Sequence, residues 1–275
     1  GSACPMNPYF TTVAAWSYGL AGLGYAVFAI YLRFGLRGGL RGVALLAAAG
    51  LTAAWAFVNL ASALAHAPIL FALGAVVDVL RVGAWFAFLL LLIERRGGST
   101  APAAPVGPSR TTWLVPVAGA LVVLGVLAQG SVALGWQVFG ASGRLALFDS
   151  LALTVFGLML VEQLFRNAPE DARWSIKPLC LGLAGGFVFD LYLFADALLF
   201  SRVDPDAWSV RGLVYALVLP LIAVSAARNR DWTFAIALSR RVVFHSTALL
   251  ASGIYLLFMA GAGYYVRLFG GSWGP

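Results

Sequence analysis

The chain of 275 residues is 61% hydrophobic and only 11% charged, whereas a soluble domain has about 25% charged residues. This composition excludes a soluble globular protein. The net charge of +7 does not indicate nucleic-acid binding, because seventeen of the eighteen basic residues are arginines and most lie in short loops between apolar runs, as topology signals do.

Apolar runs of about twenty residues recur along the chain, and each is long enough to cross about 30 Å of hydrocarbon. They predict an all-α fold, namely a polytopic bundle of about eight transmembrane helices without a soluble domain. The predicted spans cover residues 13–32, 42–65, 69–93, 113–139, 145–165, 178–200, 211–227 and 242–268.

The predicted organisation is that of a single membrane domain with one long connection. Residues 1–12 form an outer N-terminal tail, and residues 13–93 hold spans 1–3. Residues 94–112 are rich in Pro, Gly and Ala, which indicates a flexible cytoplasmic linker. Residues 113–275 hold spans 4–8.

Basic residues are unevenly divided between alternate loops. One set of loops has thirteen, the opposite set has four (Arg144, Arg202, Arg211 and Arg267), and Arg81 lies inside a span. Loops rich in Arg and Lys stay in the cytoplasm. The sequence therefore predicts a multi-pass protein of the bacterial inner membrane, with the N-terminus in the periplasm. After eight crossings, residue 275 is also expected in the periplasm.

Ionisable residues inside spans are costly, at about 2.5–3.5 kcal/mol each on insertion scales, so each needs a partner or a function. Asp78, Arg81 and Trp85 share one face of the third span at spacings of three and four residues. They predict either an internal ion pair with Arg81 stacked on Trp85 or a site for an anion or a lipid headgroup.

The sixth span contains two aspartates, Asp190 and Asp196. Six residues turn a helix by 600°, which is 240° around its axis, so the two carboxylates lie on different faces. Asp190 is expected near the midplane, where it accepts a hydrogen bond from another helix, meets Arg81, or relays a proton or cation. Asp196 is expected near the outer surface.

Other polar residues are predicted close to the membrane surfaces. Glu162 and Arg166 have the spacing of an interfacial helical ion pair. Asp149 is expected in the first turn of the fifth span, where a carboxylate is favourable. In the last span, Arg240–Arg241 and His245 are candidates for a cytoplasmic relay.

Several functions are excluded, and no cofactor or metal is expected. Lys177, the only lysine, lies at a predicted helix end, whereas a retinal Schiff base needs a lysine deep in the bundle. His66 and His245 are predicted on opposite sides and cannot both ligate one haem. No HExxH or Walker motif is present. A Cys180–His245 membrane peptidase stays open, although no local signature supports it.

Three long stretches of the second half resemble one family: "WSIKPLCLGLAGGFVFDLYLFADALLF" (174–200), "VRGLVYALVLPLIAVSAARNRDW" (210–232) and "SRRVVFHSTALLASGIYLLFMAGAGYYVRLFGGSWG" (239–274). They are similar to the N-terminal membrane region of the PrsK histidine kinases of the exosortase/PEP-CTERM system in Gram-negative bacteria. The resemblance is looser over the first two-thirds of the chain.

The resemblance implies a sensory domain whose kinase core follows in the full-length protein. It further implies a homodimer, formed through that kinase region, and a response regulator that controls exopolysaccharide and PEP-CTERM genes. No catalytic residue is expected in the present sequence.

Three hypotheses follow. In the first, the chain is the sensory membrane domain of a histidine kinase, with Asp78, Arg81, Asp190 and Asp196 responding to a ligand, protons or lipid. In the second, it is a small transporter or channel coupled through Asp190, although spans 1–4 and 5–8 show no convincing repeat. In the third, it is a membrane assembly subunit whose polar residues serve packing only.

Overall fold

The computed structural model describes residues 8–35, 39–96, 113–133 and 142–229. The chain divides into two units, Gly1–Ala235 and Ile236–Pro275, and all described residues belong to the first. The helices in these ranges are α1 Pro8–Gly35, α2 Leu40–Ala65, α3 Pro68–Arg96, α4 Leu114–Ala133, α5 Ser142–Arg166, α6 Glu170–Phe200 and α7 Pro205–Arg228.

The predicted fold class is confirmed, since the described ranges contain only helices and no soluble domain. All seven of these helices are long and apolar enough to cross a membrane. The predicted eighth span, 242–268, lies outside the described residues, as do residues 97–112 of the predicted linker and 134–139 of the predicted fourth span.

Several helices begin earlier than their apolar runs predict. The first begins at Pro8, inside the predicted tail, the sixth at Glu170 and the seventh at Pro205. Apolar runs mark only the part of a helix that crosses hydrocarbon, and a helix can continue into the polar layer. The start of α7 also has a capping signal, because the Asp204 carboxylate accepts a hydrogen bond from the Asp206 N–H and Pro205 follows at the first helical position.

Pro178, the predicted start of the sixth span, lies inside α6. Proline has no N–H, so the carbonyl of Trp174, four residues earlier, loses its helical donor. Arg228 of α7 donates to that carbonyl at 3.3 Å. In the same region the Ser225 hydroxyl donates to the Ser175 carbonyl at 2.8 Å, so hydrogen bonds join α6 and α7 beside the proline.

The seven described helices form a closed ring. Each packs against the next along the chain, α7 packs against α1, and α3 also contacts α5. Within the ring α4 is the least buried helix, and several of its leucines and valines, such as Val123 and Leu127, face outward, as do Leu23 and Val27 of α1. Exposed apolar faces of this kind match a lipid environment.

Short turns define the two ends of the bundle. The turn at 66–67 between α2 and α3 and the turn at 201–204 between α6 and α7 lie at one end, here named the His66 end. The turn at 167–169 between α5 and α6 lies at the other, named the Asn167 end. Both α1 and α7 begin at the His66 end, where the Ser17 hydroxyl donates to the Ser209 carbonyl.

Candidate functional site

A cluster of four buried charges lies between three helices of the ring. Asp78 and Arg81 come from α3, Asp190 comes from α6, and Arg211 comes from α7. The side chains of Arg81, Asp190 and Arg211 are at most 2% exposed, and that of Asp78 is 13% exposed. The cluster has two positive and two negative groups, so its formal charge is zero.

Arg211 is the centre of the cluster. Its Nε and Nη2 atoms donate to the two carboxylate oxygens of Asp190 at 2.7 and 2.8 Å. Its Nη1 atom donates to Oδ2 of Asp78 at 2.7 Å. Such a two-bond arginine–carboxylate pair is stronger and more directional than a single contact. One guanidinium therefore connects α7 to both α3 and α6.

Arg81 completes the charge network from α3. Its Nε donates to Oδ1 of Asp78 at 2.9 Å, and its Nη2 lies 3.6 Å from Oδ2 of Asp190. Tyr215, one turn after Arg211, donates its hydroxyl to the same Asp190 oxygen at 2.7 Å. Both Asp190 oxygens thus have strong donors.

Aromatic rings enclose the two guanidinium groups. The Cζ atom of Arg81 lies 4.1 Å from the ring centroids of Trp55 and of Tyr215. The Cζ atom of Arg211 lies 5.0 Å from Trp55 and 5.4 Å from Trp208. Cation–π attraction is strongest where both groups are removed from water, so these rings replace part of the lost hydration.

The structure confirms the predicted Asp78–Arg81 pair and the contact between Arg81 and Asp190. The predicted stacking partner of Arg81 was wrong: the Trp85 indole N–H instead donates to the Thr52 hydroxyl at 3.2 Å. The placement of Arg211 in a loop was also wrong, because α7 begins at Pro205 and contains it.

Four side chains of the site were missed at the sequence level: Trp55, Trp208, Arg211 and Tyr215. A usable signal existed for α7, since "DPDAW" has the pattern of a capped helix start. Beginning the helix there places Arg211 in its second turn, with Tyr215 four residues later on the same face. Trp55 has no comparable signal, because its contact with Arg81 joins residues distant in sequence.

A small cavity lies next to the cluster, at the His66 end. It has a volume of about 210 Å³ and is here named the His66-end cavity. It is lined by uncharged residues: Thr11, Ala14, Tyr18, Asn59, Ser62, Ala63, Phe71, Val203, Pro205, Trp208 and Ser209.

One residue of this lining lies beside the cluster, and a second packs on Trp55, which encloses it. The Trp208 ring lies beside Arg211, and the Tyr18 ring meets Trp55 edge-on at 5.3 Å. The Tyr18 hydroxyl donates to the Trp208 carbonyl at 2.9 Å. A molecule in the cavity would therefore touch Trp208, which lies beside Arg211, and Tyr18, which packs on Trp55.

Two buried polar atoms near the cluster lack a partner in the described part of the chain: Nη1 of Arg81 and the hydroxyl of Tyr25. An unpaired buried donor costs about 1–3 kcal/mol. The cluster is therefore fully paired at Arg211, whereas one guanidinium nitrogen of Arg81 has no partner in the described part of the chain.

The remaining predicted residues lie apart from the cluster. Asp196 is half-buried on α6. Glu162 and Arg166 form the predicted ion pair at 3.1 Å, and both side chains are mostly exposed. Arg240, Arg241 and His245 lie outside the described residues.

Asp149 is placed differently from its prediction. It is not in the first turn of the fifth helix, because α5 begins at Ser142. Asp149 is instead two turns inside the helix and buried, so no free helix N-terminus stabilises its charge.

The described residues contain no group of three or more His, Cys, Asp or Glu side chains arranged to hold a metal ion. Comparison with known proteins found no match among family models, curated proteins or solved structures. The site is thus a neutral network of paired charges beside a cavity lined by uncharged residues.

Proposed function

We propose that the chain is the membrane-embedded sensory domain of a PrsK-like two-component histidine kinase. In this proposal the full-length protein forms a homodimer through its kinase region and controls exopolysaccharide and PEP-CTERM genes through a response regulator. The resemblance of the second half of the sequence supports this assignment. The structural support is a charge network that joins three membrane helices and lies beside a cavity.

The observation that favours sensing most directly is the position of Trp208. Its side chain lines the His66-end cavity, and its ring lies beside Arg211. A ligand that moves this ring alters the surroundings of the one guanidinium that connects α7 to α3 and α6. If the helices have two packings, a ligand shifts their populations by its difference in affinity for them.

The opposite end of α7 provides a route for output. Near the Asn167 end, Ser225 donates to the Ser175 carbonyl and Asn229 donates to the same carbonyl at 3.2 Å. A rotation or shift of α7 at Arg211 would change these contacts with α6. Rigid-body movements of packed helices are a known form of switching.

The distribution of arginines supports an inner-membrane location with the His66 end in the periplasm. Outside the charge cluster, eight basic residues of the described ranges lie toward the Asn167 end and two, Arg144 and Arg202, lie toward the His66 end. The excess is on the side of the Asn167 end, which the positive-inside rule assigns to the cytoplasm. The His66-end cavity then faces the periplasm, where an extracellular signal can arrive.

The transport alternative is less favoured by the geometry. A coupling carboxylate must release one partner to take up an ion or proton, but the oxygens of Asp190 accept from Arg211 and Tyr215. Breaking a buried pair by removing one partner costs about 3–5 kcal/mol. The assembly alternative, in which the cluster serves only packing, is addressed by the experiment below.

The test is autophosphorylation of the full-length gene product in proteoliposomes. Asp190→Asn and Trp208→Ala are expected to change the basal rate at least threefold, while Glu162→Gln, in the exposed pair, leaves it unchanged. Thermal unfolding of each variant identifies those that remain folded. Unchanged phosphorylation in folded cluster variants would support the assembly alternative, and a reading frame without a kinase core would refute the proposal.

A further inference from the structure

A second polar site, separate from the charge cluster, lies between α4 and α5. Asp149 of α5 is 5% exposed, and neither of its carboxylate oxygens has a hydrogen-bond partner in the described ranges. It borders a cavity of about 410 Å³, here named the α4–α5 cavity. An unpaired carboxylate in apolar surroundings is costly, so a group that pairs with it is strongly favoured.

On the side of Asp149 that faces α4 and α3, the packing leaves room for the carboxylate and for little else. A Cβ atom on Gly125 of α4 would collide with Oδ2 of Asp149, and it would lie 3.0 Å from Cγ1 of Val79 on α3. The side chain therefore extends against the bare backbone of α4, at the junction of three helices. Glycine at position 125 is what admits a carboxylate at this depth.

The cavity itself is apolar and lies on the lipid-facing side of the ring. Besides Asp149, its polar lining group is Ser131; the others are Leu121, Leu124, Leu127, Ala128, Leu145, Phe148 and Ala152. Leu124, Leu127 and Phe148 are at least 55% exposed, so the cavity opens toward the bilayer. Its volume is in the range of small-molecule sites.

The residue types define the ligand. A hydrocarbon chain matches the leucine-rich walls, and a cationic head that donates hydrogen bonds matches the carboxylate. We propose that the α4–α5 cavity binds a lipid-soluble amine, with its ammonium group on Asp149 and its alkyl chain along α4 and α5. The proposal does not depend on the kinase assignment, because the site shares no residue with the charge cluster.

Photolabelling of the full chain in lipid nanodiscs tests this site. The probe is a twelve-carbon primary alkylamine with a diazirine on the chain, and the matched probe is the corresponding alcohol. We expect the amine to label peptides of α4 and α5, with at least tenfold less labelling in Asp149→Asn. Asp196→Asn, a half-buried aspartate outside the cavity, should label like the wild type.

A second variant keeps the test independent of the charge change. Ala128→Phe fills the cavity while Asp149 stays in place, and it should also reduce amine labelling at least tenfold. Equal labelling of wild type and Asp149→Asn, equal labelling by amine and alcohol, or labelling spread over α1 as strongly as over α4 would each overturn the proposal.

Discussion

At the scale of single residues, Arg211 determines whether the cluster is neutral. Without it, Asp78 and Asp190 share one remaining cation, Arg81, in a largely buried site. Removing one partner from a buried ion network leaves an uncompensated charge, and this costs more than the pair itself contributes to stability. Such an effect is measurable, because native proteins have total stabilities of only about 5–15 kcal/mol.

We therefore predict that Arg211→Met lowers the free energy of unfolding by about 3–5 kcal/mol. The control is Arg166→Ala, which removes an exposed pair and should cost less than about 1 kcal/mol. Unfolding in mixed micelles with increasing SDS measures both. Similar losses in the two variants would show that the buried cluster has no special energetic role.

Two buried tyrosines give a matched comparison of one hydroxyl with a partner and one without. Tyr215→Phe keeps the ring beside Arg81 but removes the hydrogen bond to Asp190, and it should cost about 1.5–3 kcal/mol because the acceptor is charged. Tyr25→Phe removes a hydroxyl without a partner in the described part of the chain and should be neutral or stabilising. The same unfolding assay measures the loss of stability in both variants. A larger loss in Tyr25→Phe than in Tyr215→Phe would contradict the assigned hydrogen bonds.

At the scale of helices, the sequence predicts the seven described spans well and their ends poorly. Hydrophobicity reports the length of chain in hydrocarbon, so the ends of α2 and α3 were predicted to within three residues. The start of α7 was not, because its first turns contain Asp206 and Arg211 and are polar enough to look like a loop. That error also hid the central residue of the site.

Contacts between helices could not be predicted from the sequence pattern, for a different reason. The Asp78–Arg81 pair is local and follows from helical spacing. The partners Asp190, Arg211 and Trp55 come from other helices, and a single sequence does not give their relative rotation. In the ring that rotation follows from small-residue contacts such as the one at Gly212.

Gly212 sets the distance between α1 and α7. A Cβ atom there would lie 2.7 Å from the backbone carbon of Ser17 and from the backbone nitrogen of Tyr18. We predict that Gly212→Ala costs about 1–3 kcal/mol, the usual range for overpacking. Gly185→Ala is the control, because a Cβ atom at position 185 would have no described atom of a neighbouring helix within 4 Å, and alanine there should be neutral or stabilising. Equal effects in SDS unfolding would rule out close α1–α7 contact.

At the scale of the whole molecule, seven crossings place the start of α1 and the end of α7 on opposite sides of the bilayer. The His66-end cavity then opens on the side opposite the arginine-rich loops. Sensing from the periplasm requires this orientation, since a reversed bundle would expose the cavity to the cytoplasm. The orientation of the bundle therefore decides whether a periplasmic signal can reach the cavity.

Cysteine accessibility tests the orientation directly. In a Cys4→Ser, Cys180→Ala background, single cysteines at Arg202 and Asn167 occupy exposed turns at the two ends of the bundle. In intact spheroplasts, a membrane-impermeant maleimide should label Arg202→Cys and not Asn167→Cys; after lysis both should react. Labelling of Asn167→Cys alone in intact spheroplasts would show that the bundle has the opposite orientation, with the cavity on the cytoplasmic side. A periplasmic signal could not reach it there, whereas the paired charges between α3, α6 and α7 would retain their role in packing.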